Sequence, residues 1–151
     1  MRLSIYLLGD FQVSVDNQSI TRKFRTDKER ALLAYLAIEG KRPVSREILA
    51  ELLWPDRPEG MSRANLRQAL LGVRNAIEDK RTNQPLLLVS DESIQINRKA
   101  SYWLDVDAFS ARLQFSSEHP HQALETCSTC TQQLQEAVDL FRQDFLTGLY
   151  V

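Results

Sequence analysis

Several residue types that commonly carry chemistry are scarce in this chain. Its 151 residues hold two cysteines, two histidines and five glycines. The glycines are scattered and no Gly-x-x-x-x-Gly-Lys occurs, which excludes a phosphate-cradling loop of that kind. There is no Gly-x-Ser-x-Gly elbow, and the two histidines lie almost side by side at His119 and His121, so a His-based triad has no support. No apolar run approaches the ~18 residues needed to span a bilayer. Ser4 and Asp10 deny the N-terminal apolar stretch, Leu3 to Leu8, the character of a signal peptide. The chain therefore reads as cytoplasmic, with no membrane partner, no cofactor and no enzymatic activity.

What is present is ordinary in bulk and uneven in distribution. A hydrophobic fraction of 43% with 26% charged residues is that of a globular chain able to bury a core. The net charge of −1 conceals a division. Residues 1–99 carry 17 Lys and Arg against 13 Asp and Glu, a net of +4, whereas residues 100–151 carry 2 against 7, a net of −5. A basic module can bind a polyanion that an acidic one would repel, so two modules with different partners are expected, residues 1–100 and 101–151.

The order of elements defines the first module. Residues 2–8 and 11–15 alternate as strands around Gly9-Asp10, and Gln18 to Ile20 can pair back after the Asp16-Asn17 turn. Thr26 or Asp27 caps a helix to about Glu39 with Leu32, Leu33, Leu36 and Ala37 inward, closed by Gly40. After a loop at Pro43-Val44, Ser45 caps a second helix. Its apolar face is Ile48, Leu49, Leu52 and Leu53, and Trp54-Pro55 stops it. Ser62 is expected to cap a third helix reaching about Glu78. Residues 86–90 and 93–97 then form a hairpin around Asp91-Glu92. Strands, three helices and a hairpin make an α+β winged helix. From Asp107 the pattern is helical to the end, with apolar residues from Phe109 through Leu113, Phe115, Ala123, Leu124 and Val138 to Leu149 and no further strand signals.

On a helical wheel, Leu66, Ala69, Leu70, Val73, Ala76 and Ile77 of the third helix share one arc. Arg67, Gln68, Leu71 and Asn75 occupy the other, bordered by Arg63 and Arg74, with Asn65 on the same helix. Arg pairs bidentately with guanine, Asn and Gln with adenine, and all reach phosphates. The outer face holds no acidic residue from Arg63 to Asn75, although any amphipathic helix has a polar outer face. Arg22, Lys23, Arg25 and Lys28 before or within the first helix, Arg46 in the second, and Arg98 and Lys99 after the wing are candidates for backbone phosphates. The wing tip Ser90-Asp91-Glu92-Ser93 is acidic, which disfavours deep insertion into a minor groove.

These segments resemble the antibiotic regulatory protein (SARP) family, in which an OmpR-type winged helix precedes a bacterial transcriptional activator domain. The resemblance rests on Leu7-Leu8-Gly9-Asp10-Phe11, on residues 28–37, on Ser45-Arg46-Glu47 with Leu52-Leu53-Trp54-Pro55-Asp56, and on Ala64-Asn65-Leu66-Arg67-Gln68-Ala69-Leu70 with Val73-Arg74. It continues through residues 102–109 and through Glu136-Ala137-Val138-Asp139-Leu140-Phe141 with residues 144–148. It implies promoter binding at direct repeats, association of two copies on DNA, contact with RNA polymerase, and a tetratricopeptide-like second domain of which residues 101–151 are the first helices of a longer regulator. One departure is Leu71-Gly72, where OmpR-type helices carry basic side chains.

Two other readings compete. In one, the acidic helical half is the working part of a protein-interaction module. In the other, His119, His121, Cys127 and Cys130 supply four metal ligands within a dozen residues of a metal-responsive regulator. Small cysteines are common on buried helix faces, and this stretch reads as helix, so neither a metal site nor a disulfide is expected. Trp54 and Trp103 are expected in the core or at the junction between the modules.

Overall fold

A computed structural model of the chain describes residues 2–119 and 127–150. Alternation at the N-terminus sends Leu3, Ile5 and Val13 inward on β1 (Leu3–Tyr6) and β2 (Gln12–Val15), which pair antiparallel. β1 is shorter than the expected strand, because the N–H groups of Leu7 and Leu8 leave the ladder for the buried carboxylate of Asp105, at 2.9–3.0 Å. Asp16 and Asn17 both take positive φ and turn the chain into β3 (Gln18–Ser19), which pairs with β2.

Helix α1 (Asp27–Glu39) begins at Thr26 with a full capping box: the Thr26 hydroxyl accepts from the Glu29 N–H, and the Glu29 carboxylate accepts from the Thr26 N–H. Val44, expected in a loop, instead forms with Ser45 a short strand β4 (Val44–Ser45) beside the wing. Ser45 then caps α2 (Arg46–Leu53). Only Leu49, Ala50 and Leu53 of α2 are buried, while Ile48 and Leu52 stand 54% and 50% exposed. The inward arc of this two-turn helix runs through Leu49, Leu53 and Ala50, and at ~100° per residue Ile48 and Leu52 fall outside it.

Helix α3 (Glu59–Ala76) starts three residues before the expected cap. Pro58 takes the cap position with its φ already suited to helix entry, and Glu59 sits in the positive first turn. Ser62, the expected cap, is buried, and its hydroxyl donates to the carbonyl of Trp54 at 3.1 Å. The helix ends two residues short of Glu78, which adopts a left-handed conformation. The buried Asp79 then accepts from the N–H groups of Leu86 and Leu87 and so fixes the start of the wing. The wing strands β5 (Leu87–Val89) and β6 (Ser93–Ile96) join β4 in a three-stranded sheet of order β4-β6-β5.

β7 (Tyr102–Leu104) was not expected as a strand. It lies parallel to β1 and completes a four-stranded sheet of order β3-β2-β1-β7. Trp103 packs against Tyr6 there with the two rings tilted, and Trp54 packs on the edge of the core. A single hydrophobic core runs from both sheets through α1, α2 and α3.

Asp105 opens α4 (Asp105–Glu118), which packs on α5 (Ser128–Leu140). The helical pattern was expected to continue past Leu140. Instead the chain leaves the helix, and Phe145 forms isolated bridges with Leu8 and Gly9. Of the expected apolar stripe, Leu113, Phe115, Val138, Phe141 and Phe145 remain exposed, while Ala123 and Leu124, like His121, lie outside the described residues.

Candidate nucleic-acid interface

The buried arc Leu66, Ala69, Leu70, Val73 and Ala76 clamps α3 onto α1 and α2. Its opposite arc then faces solvent, and Arg63, Arg67, Gln68, Leu71 and Asn75 are all exposed. Arg63 is shared with Glu59 one turn earlier, at 3.1 Å. Asn65 is half-buried at the border. Arg74 is also half-buried, and its Nε is enclosed without a hydrogen-bond partner.

Two depressions flank this face and differ in charge. One, of about 580 Å³, lies between α3, the start of α2 and the wing turn, where Arg46, Arg63 and Arg67 are matched by Glu47, Asp91 and Glu92. The other, of about 680 Å³, lies between α3 and the segment leading into α1. There Arg22, Lys23 and Arg25 face Gln68, Leu71 and Asn75, with Glu29 the only acidic side chain. The cationic side of α3 is therefore the side toward residues 22–25.

Not every basic candidate is available. The ammonium of Lys28 donates to the Leu53 carbonyl and lies 5.7 Å from the centre of the Trp54 ring, so it closes the C-terminal end of α2. Arg46 is fastened to the wing turn: its Nε donates to the Ser90 carbonyl at 2.8 Å, and its own N–H donates to the Glu92 carbonyl at 2.9 Å. Arg98 and Lys99 are exposed but line neither depression. Arg98 lies near Tyr102, whose hydroxyl is pushed above its usual range by burial and by Asp107, with Lys41 and Arg98 pulling the other way.

Sequence reasoning found no reason for the small residue at Gly72. A Cβ there would meet Glu29 Oε1 at 1.7 Å, because the carboxylate of the α1 capping box lies directly against α3. Glu29 Oε2 takes two backbone N–H groups, from Arg25 at 2.8 Å and Thr26 at 3.0 Å. Gly72 thus admits the start of α1, and with it the basic segment 22–25, to the flank of α3. The Thr-x-x-Glu spacing of residues 26–29 was the available signal.

The family model described as "Transcriptional regulatory protein, C terminal" matches residues 22–102. Over 76 residues the chain is 33% identical to the transcriptional regulatory protein EmbR of Mycobacterium bovis and of Mycobacterium tuberculosis. That alignment covers 50% of this chain and 19% of those proteins, so the match takes in about a fifth of the relatives' length. Among solved structures, Mycobacterium tuberculosis EmbR in complex with a low affinity phosphopeptide superposes on 98% of the chain and 38% of that protein, with a TM-score of 0.76 and 23% identity. The winged-helix architecture is thus shared with EmbR, a SARP-type regulator. With more than half its length matched, from before α1 to the first residue of β7, the chain belongs to the transcriptional regulatory protein C-terminal family, the OmpR-type winged helices.

Proposed function

We propose that this transcription regulator binds duplex DNA sequence-specifically and acts as an activator, with α3 in the major groove and the β5–β6 wing beside it. One observation carries the reading: an exposed row of Arg63, Arg67, Gln68, Leu71 and Asn75 on a helix held rigidly from behind, with no acidic residue among them. Arg67, Gln68 and Asn75 read base edges, Leu71 offers apolar contact to a thymine methyl, and Arg63 reaches the groove wall once Glu59 releases it. Arg22, Lys23 and Arg25 engage phosphates on the cationic flank. Arg46, Arg74, Arg98 and Lys99 contribute less, as does Asn65, since each is tied, enclosed or remote. The acidic wing tip stays outside the minor groove.

In this reading residues 1–100 are the DNA-binding unit and residues 101–151 begin an activator domain. That domain helps two copies occupy direct repeats and meet RNA polymerase, and no step needs a catalytic group or cofactor. The test is titration of a duplex selected from a random pool, followed by fluorescence anisotropy. Arg67→Ala with Gln68→Ala lowers affinity by about 10- to 100-fold with an unchanged thermal midpoint, since a bidentate base contact contributes ~1–3 kcal/mol. Arg22→Ala with Arg25→Ala weakens all sequences alike and reduces the salt dependence by roughly one unit per phosphate lost. Full affinity in the first double variant overturns the proposal and leaves the protein-interaction reading in its place.

A further inference from the structure

We propose that His119, Cys127 and Cys130 form a zinc site that fastens the end of α4 to the start of α5. Helix α4 stops at Glu118, and His119 follows as its C-terminal cap, its ring stacked on Phe115 at 5.3 Å. Cys127 caps α5 and Cys130 lies one turn further on, so the three-residue spacing brings both sulfurs to one side of the helix. His119 Nδ1 lies 3.4 Å from Cys127 Sγ and 3.3 Å from Cys130 Sγ, and the three donor atoms all fall within 4.8 Å of one another.

The two nitrogen–sulfur distances match the requirements of a tetrahedral ion. With Zn–S near ~2.3 Å and Zn–N near ~2.0–2.1 Å, ligand atoms on a tetrahedron are about 3.5 Å apart for N and S and about 3.8 Å for two sulfurs. Binding the ion requires the two sulfurs, at most 4.8 Å apart, to settle at the spacing of two zinc thiolates, and a fourth ligand completes the tetrahedron. Two thiolates and an imidazole select zinc over magnesium or calcium, whose ligands are oxygens.

The sequence pattern alone favoured plain helical cysteines, and a Cys-x-x-Cys pair can also close as a disulfide. Neither account gives the imidazole a role, yet it arrives from a different helix and meets both sulfurs at hydrogen-bonding range. Buried apolar packing between the two helices is also sparse, and the Arg112–Glu136 ion pair that joins them is partly exposed. Among the described residues, Cys130 and Ala137 are the only buried apolar side chains of α4 and α5, so a metal would supply cross-linking that packing does not. The inference is independent of DNA binding.

The experiment uses the 151-residue chain, reduced, stripped with a chelator and titrated with cobalt(II), then with zinc. One cobalt per chain is expected, with thiolate-to-metal charge transfer and the intense visible bands of a tetrahedral site, displaced by zinc. Zinc should slow amide exchange in α4 and α5 and leave α1 to α3 unchanged. Cys127→Ser and His119→Gln, both at sites that are not fully buried, should each weaken zinc binding by at least about 100-fold, since loss of a supporting partner alone costs roughly 10- to 100-fold. Absence of stoichiometric uptake by the reduced wild-type chain overturns the proposal, as does a weak octahedral spectrum or full affinity in His119→Gln. A Cys127–Cys130 disulfide whose reduction yields no metal uptake assigns the pair to redox chemistry instead.

Discussion

The winged helix and the α4–α5 pair are held together in different ways. In the first, strand alternation and helical stripes converge on one continuous core that includes Ile5, Phe24, Leu32, Leu36, Leu49, Leu66 and Ile94. Its buried carboxylates Glu29 and Asp79 each take two backbone N–H groups where elements begin. In the second, two helices meet over few buried side chains and leave Val138 62% and Phe141 46% exposed. The basic part is a finished packing unit, and the acidic part draws cohesion from specific tethers: the Asp105 carboxylate, the Phe145 bridges and the Arg142–Asp10 pair.

Removing a tether tests that contrast most severely. Asp105→Ala strands the N–H groups of Leu7 and Leu8 in a buried setting and should cost about 2–4 kcal/mol in denaturant unfolding. Exchange should rise first in α4 and in residues 142–147. Loss confined to the winged helix would contradict the division drawn here. A smaller effect, internal to the winged helix, comes from Gly72→Ala. An alanine in a helix gains up to ~1 kcal/mol over glycine, but here its Cβ evicts the Glu29 carboxylate. The single variant should lose about 1 kcal/mol, whereas in a Glu29→Ala background the same substitution should stabilise the protein. Additivity in that double-mutant cycle would remove Glu29 as the reason for the glycine.

The smallest effect is acid release of the Arg142–Asp10 tether. The hydrogen bond from Gln12, followed by those and the charge of Arg142, holds the Asp10 carboxyl below its usual range. A depressed folded-state value contributes stability above the unfolded pKa of ~3.9 that is lost as pH falls through the folded value. Below about pH 4, residues 142–147 should therefore exchange faster while the wing is unaffected, with an effect under ~1 kcal/mol because the pair is largely solvated. An Arg142→Ala variant should lack this pH response.

Long, strongly periodic segments were legible in the sequence: α1, the buried arc of α3 and the wing hairpin are all written in local spacing. Two short strands were not. β4 is two residues long and β7 three, and each exists because a distant partner, Ile94 or Leu3 to Ile5, offers an edge. The start of α3 was misplaced because Ser62 has the chemistry of a cap, whereas Pro58 holds the cap position with no side-chain hydrogen bond and the Ser62 hydroxyl is spent on Trp54. At the candidate interface, a wheel could sort inward from outward on α3. It could not show that Lys28 is spent on Leu53 and Arg46 on the wing turn, since both contacts cross between elements.

The parallel pairing of β7 with β1 has a mechanical consequence. The polypeptide leaves the wing, runs a few residues through Asn97 to Ala100, and is immediately stitched into the same sheet that backs the three-helix unit. No slack tether intervenes at that seam, so a torque applied to α4 is delivered to the scaffold behind α3 and not dissipated in a swivel.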